Sequence, residues 1–147
     1  MTIEKNLCYT FSDKKLLNRA LTRKAYAMEK NQQDQYCEDQ EVFRTLGDAV
    51  LKAVLVDRLI ESGSKTREEI TSKKIRLERE ETLAKISQDL DIGQFIKLGI
   101  GEKKQRADEE PKVLAETLEA LIGAIYLDNG YEKSKEIILG WFDPLII

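Results

Sequence analysis

Apolar residues recur at three- and four-residue intervals along most of this chain, and no run of strand length alternates apolar with polar. That period predicts helices throughout and an all-α fold. Ser12 is placed to cap a first helix through Leu16, Leu17, Ala20 and Leu21. The polar stretch 26–39 reads as a loop. A long helix is expected over Glu41–Glu61, closed by Gly63. Thr66 and Glu69 have capping-box spacing for the next helix, which carries Ile70, Ile75 and Leu77. Leu83, Ile86 and Leu90 mark a turn-rich segment that ends near Gly93. Residues 99–110 read as a loop of Gly, Lys and Asp. Pro111 suits a first-turn position ahead of an apolar helix from Lys112 to Leu127. Asp128-Asn129-Gly130 should stop it, and a last helix holds Ile137, Ile138, Leu139, Trp141 and Phe142. A chain of 147 residues with no low-complexity linker or repeat fits one domain, 1–147.

Two of these helices carry charges where the pattern calls for none. The segment 42–56 is apolar over most of its circumference and should be the central helix, yet it holds Asp48. The segment 113–127 is as apolar and holds Glu116 and Glu119, three residues apart and so on one face. A buried carboxylate needs an ion pair, a hydrogen bond or a cation. Oxygen ligands from two helices suit a hard divalent ion such as Mg²⁺ or Mn²⁺. The plainer alternative is ion pairing: Arg44 lies four residues from Asp48 and can also face Glu116 or Glu119. The residue pattern leaves both open.

Composition narrows the chemistry. The chain has no histidine, which removes His-based triads, His metal ligands and His proton relays. Cys8 and Cys37 are too few for a zinc site and read as free thiols in a reducing cytoplasm. The opening MTIEKNLCYTF lacks the apolar core of a secretory signal. The stretch 49–60 is broken by Lys52, Asp57 and Arg58, so no membrane span is expected. A net charge of −3 does not suggest a general polyanion binder.

The segment Glu41-Val-Phe-Arg-Thr-Leu-Gly-Asp48-Ala-Val-Leu51 resembles the signature of the ribonuclease III family. Four other blocks follow in the family's order: 7–11 with 16–22, Ile70-Thr71 with Thr82-Leu83-Ala84, Leu98-Gly99-Ile100-Gly101-Glu102, and 114–123 around Glu116 and Glu119. The resemblance covers nearly the whole chain. It implies the all-α ribonuclease III endonuclease-domain fold, a homodimer, and a Mg²⁺- or Mn²⁺-dependent cut in double-stranded RNA that leaves a 5′-phosphate and a 3′-hydroxyl. The chain is similar to stand-alone members, without a double-stranded RNA-binding domain. Carried over by position, Asp48 and Glu119 are the central catalytic ligands, Glu116 a longer-reach ligand, and Glu41 an outer or substitute one.

The departures from the pattern are specific. Position 44, usually Glu, is Arg, and position 116, usually Asp, is Glu. The ligand quartet 44, 48, 116 and 119 therefore carries −2 where the family carries −4. A guanidinium about 4 Å from a divalent ion repels it by several kcal/mol even at an effective dielectric of about 20. At most one weakly held metal is expected in the free protein. Arg44 would otherwise contact a phosphate or replace the metal. The family's Leu-Thr-His-Arg/Lys-Ser reads Leu21-Thr22-Arg23-Lys24-Ala25, and an auxiliary acidic position falls at Arg67, with Glu68 or Glu69 as alternative occupants. RNA contacts are expected from Lys73, Lys74, Arg76, Lys103, Lys104 and Arg106, set against a plain solvated charged face. Two readings follow: an endonuclease for double-stranded or structured RNA, or a degenerate homodimer that binds RNA or ribonucleoprotein without cutting. Phe43, Leu46 and Val50 are candidates for the dimer interface, with core packing as the alternative.

Overall fold

The computed structural model of the chain describes residues 2–146. Eight helices follow in order: α1 (Ile3–Leu7), α2 (Lys14–Ala20), α3 (Lys24–Gln32), α4 (Glu41–Glu61), α5 (Arg67–Glu78), α6 (Glu80–Asp89), α7 (Ile100–Lys104) and α8 (Pro111–Ile146). Short 3₁₀ turns lie at Gly93–Phe95 and Ala107–Glu109. No strand forms among the described residues, and Thr22 and Lys97 meet in an isolated parallel bridge. The all-α expectation holds.

The long helix α4 begins and ends where its sequence pattern places it. It buries Phe43, Gly47, Val50, Leu51, Val54, Leu55 and Leu59, a helical stripe. Its other face reaches solvent, with Val42 64% and Ile60 56% exposed. The central position belongs instead to the first arm of α8. There Val113, Leu114, Ala115, Leu118, Leu121, Ile122 and Ile125 are buried all round the helix. Phe43 and Val50 lie in the core of the single chain, so neither is free for a dimer contact; Leu46 is half-buried against that core.

Four local expectations change. The cap of α2 is Asp13, whose carboxylate accepts from the Lys15 N–H; Ser12 instead donates its own N–H to Asp128. Helix α3 occupies part of the expected loop 26–39. The 83–90 segment is the helix α6, and the 99–110 loop contains α7 and a 3₁₀ turn. Helix α8 runs past Asp128 and Asn129 and breaks at Gly130, whose φ of 83° and ψ of −174° suit glycine alone. Asp128 accepts from the Tyr9 hydroxyl and from the N–H groups of Ser12 and Asp13, which fixes the N-terminal segment to the break. Beyond it, Lys135 pairs with Asp57 and Glu61 at 2.9 Å each, and Arg58 with Asp143 at 3.0 Å.

The contact that positions the site is between α4 and α8. A Cβ added to Gly47 would sit 1.7 Å from the Glu119 carbonyl oxygen, and one added to Gly123 would sit 2.3 Å from the Phe43 carbonyl oxygen. The two backbones touch, as only glycines permit. This approach sets Asp48, next to Gly47, against Glu119.

Candidate active site

Glu41, Arg44, Asp48 and Lys52 lie three or four residues apart along α4, on one face. Glu116 and Glu119 come from the first arm of α8, Lys74 and Glu78 from the end of α5, and Arg23 and Lys24 from the start of α3. Sequence spacing put Glu116 and Glu119 on a single face. The fold divides their duties. Glu119 joins Asp48, Glu41, Arg44 and Thr45 in lining an open cleft of about 470 Å³. Glu116 instead lines the neighbouring hollow, with Arg23, Lys24, Gln40, Glu41, Arg44 and Lys112.

The reason is a pair of guanidinium groups. Arg44 Nη2 lies 2.6 Å from Glu116 Oε2, and Arg23 Nη1 lies 2.9 Å from Glu116 Oε1. Both carboxylate oxygens are thus engaged, one by a charge-assisted hydrogen bond from Arg23 and the other by an ion pair with Arg44. Arg23 also donates to Glu102 at 3.1 Å and to the buried Gln40 at 3.2 Å. Gln40 in turn donates to the Ala20 carbonyl and to Thr117, so the clamp rests on α2 and α8 together. Desolvation works against the Arg23 charge, but Glu116 and Glu102 outweigh it and hold its pKa above the usual guanidinium value.

A second set of charges surrounds Asp48. Lys52 Nζ lies 2.7 Å from Asp48 Oδ1 and 3.7 Å from Glu78, and Lys74 lies 3.1 Å from Glu78. Burial pushes the Asp48 carboxyl up, but hydrogen bonds with Lys52 and Glu119 prevail and leave it below the usual range. Glu119 moves the other way. Burial first, then the adjacent Asp48, raise it to about 7. The same neighbourhood therefore favours the ionised form of Asp48 and the protonated form of Glu119.

A four-ligand metal centre does not fit these residues. No three His, Cys, Asp or Glu side chains converge on a metal-sized space among the described residues. Glu116 is closed by two arginines, and Arg44 brings a positive charge to the cleft. Asp48 and Glu119 remain as a two-carboxylate pair, with Lys52 already on Asp48. Glu41 pairs loosely with Lys24 at 3.6 Å and with Arg44 at 3.9 Å.

The expected RNA contacts scatter. Lys73 pairs with Glu69 at 3.2 Å, Lys74 turns inward to Glu78, and Arg106 pairs with Glu109 at 2.7 Å. Arg76, Lys103 and Lys104 are exposed. Lys103 and Lys104 also sit in the last turn of α7, where the helix dipole favours cations. Arg23 and Lys52 were not among the expected site residues. Lys52 had a signal, its four-residue spacing from Asp48. Arg23 had one as well, as a charged replacement in a block otherwise like the family's.

Comparison with known proteins agrees with this architecture. The family model described as Ribonuclease-III-like matches residues 13–144. The chain belongs to the ribonuclease III-like family. Ribonuclease 3 of Pseudomonas syringae pv. syringae is 37% identical over 150 residues, covering 99% of this chain and 62% of that protein. Ribonuclease 3 of Pseudomonas aeruginosa is 36% identical over 143 residues, covering 97% of this chain and 58% of that one. The chain thus spans about three-fifths of the length of these relatives. Among solved structures, a nuclease domain of Campylobacter jejuni ribonuclease III superposes with a TM-score of 0.87 at 33% identity, covering 97% of this chain and 94% of that one. That structure is described by flexibility in a region involved in dimer formation. The ribonuclease III nuclease-domain fold is therefore present in this chain.

The raised Glu119 makes a pH prediction. A carboxyl raised in the folded state keeps its proton between the unfolded value and about 7, so stability falls as pH rises through that window and is flat above it. Glu119→Gln removes the ionisation. Its melting temperature relative to the parent should therefore be higher at pH 8 than at pH 5, by thermal denaturation at matched ionic strength. An equal difference at both pH values would contradict the raised Glu119.

Proposed function

We propose that this ribonuclease III-like domain binds double-stranded or structured RNA as a homodimer and does not cut it with a divalent metal, Arg44 standing in for a cation. The observation that carries the reading is the closure of Glu116 by Arg44 and Arg23 at 2.6 and 2.9 Å. With those pairs made, the carboxylates that would draw Mg²⁺ or Mn²⁺ are compensated from within. A duplex-RNA partner is supported by the ribonuclease III nuclease-domain fold, and recognition of duplex RNA rests on shape, phosphates and 2′-hydroxyls. Exposed Arg76, Lys103 and Lys104 are available for phosphates. Exposed Val42 and Met28, beside the hollow at the start of α4, support a surface for a second copy. No helix is long and apolar enough to cross a membrane among the described residues.

A second reading has its own support. Asp48 and Glu119 line an open cleft, and an endonuclease using a single Mg²⁺ or Mn²⁺ on that pair would need only them. Incubation with duplex and hairpin RNAs separates the two. The expected outcome is retardation in gel shifts, weakening steeply with salt, with intact RNA after incubation with Mg²⁺ or Mn²⁺. Products with 5′-phosphate ends, abolished by Asp48→Ala, would establish the second reading instead. Light scattering at micromolar concentration should give twice the 16.9 kDa chain mass.

A further inference from the structure

The hollow on the far side of Arg44 is lined by Arg23, Lys24, Arg44 and Lys112, against only Glu41 and Glu116, and encloses about 220 Å³. Four cations face two carboxylates in a chain whose net charge is −3. The carboxylates do not use up the positive charge. Both Glu116 oxygens are taken by the arginines, which leaves Lys112 without an ion pair among the described residues. Lys24 reaches Glu41 only at 3.6 Å. Arg44 Nε is buried and has no hydrogen-bond partner. Lys24 and Lys112 are exposed at the rim, whereas the guanidinium groups of Arg23 and Arg44 are held in place by their acceptors.

From this geometry we propose that the hollow is a phosphate-binding site. A tetrahedral oxyanion seated there would be gripped by Lys24 and Lys112 at the rim and would face Arg44 within. Arg44 and Glu41 line this hollow and the Asp48–Glu119 cleft alike, so the phosphate would sit beside that cleft. The position that repels a metal cation thus attracts an anion. The chemistry fits a phosphate carrying more than one negative charge, such as a terminal phosphomonoester of an RNA strand or free inorganic phosphate. The site does not depend on the RNA reading above.

Thermal melts of the full chain in inorganic phosphate and in chloride, at equal ionic strength and pH, test it. At about ten times its dissociation constant, phosphate should raise the melting temperature by roughly 3–6 °C over chloride. Lys112→Glu should abolish the rise, and so should Lys24→Glu. Both replaced side chains are exposed, so both variants should fold and melt like the parent in chloride. No phosphate-specific rise, or an unchanged rise in both variants, overturns the site. Duplexes of one sequence with and without 5′-phosphates then identify the source. Tighter binding of the phosphorylated duplex by several-fold, lost in Lys112→Glu, assigns the site to an RNA end. Equal binding beside an intact phosphate response assigns it to free phosphate. Failure to bind any RNA beside that same response removes the RNA reading and leaves the site standing.

Discussion

Gly47→Ala should cost the fold about 4 kcal/mol or more, the largest effect expected of any single methyl group in this protein. The added carbon would fall 1.7 Å from a backbone carbonyl oxygen, which cannot rotate away as a side chain would. Relief requires α4 and α8 to part along their whole contact, and that contact is the core. Urea unfolding followed by circular dichroism would show the midpoint falling sharply, or an insoluble product. Ala49→Gly, on the exposed side of the same turn, is the control, with a loss of about 1 kcal/mol from helix propensity alone. A Gly47→Ala protein as stable as that control would mean that the two backbones do not touch. The same substitution bears on chemistry, because the glycine contact sets Asp48 against Glu119.

Arg44→Glu should reverse the electrostatics of the site. The parent loses little from chelators, since its carboxylates are paired with its own arginines and lysine. In the variant, Glu116 keeps only Arg23, and a fourth carboxylate joins Asp48 and Glu119. With 31% of the Arg44 side chain exposed, the loss without metal should be about 1–3 kcal/mol, below the figure for a fully buried pair. Mg²⁺ or Mn²⁺ should then recover much of it, seen as a metal-dependent rise in melting temperature that the parent lacks. A parent that responds to Mg²⁺ as strongly as the variant would show that Arg44 does not take the place of a cation. RNA cleavage gained by the variant, with none in the parent, would show a nuclease fold disabled chiefly at that position.

Much of this architecture could be read from the chain, and the parts that could not have physical causes. Helix α4 was legible from end to end because it has a long apolar stripe and a glycine just past its last turn. Helix α3 was not. Ala27 is its only buried residue, so there was no hydrophobic period to see. The choice of central helix went to the wrong partner because α4 and α8 are alike in composition and differ in how many neighbours cover them. For the site, spacing identified Asp48, Glu116 and Glu119. It could not show that Glu116 and Glu119 part company, since that depends on Arg23, 93 residues away from Glu116 in sequence. Arg44 was visible as a charge of the wrong sign. That it reaches Glu116 and not Asp48, its neighbour four residues on, is a fact of tertiary packing, and Lys52 holds Asp48 instead.

The break at Gly130 divides α8 into two levers with separate anchors. Residues 111–129 carry Glu116 and Glu119 and are locked to the upper half of α4 by glycine contacts. Residues 131–146 are fastened to the lower half through Asp57, Glu61 and Arg58. Glycine at the joint transmits no helical twist from one to the other. The course of the tail is therefore set by its own anchors, these ion pairs and the buried Ile137, Ile138 and Phe142, rather than by the direction of the arm that carries the carboxylates.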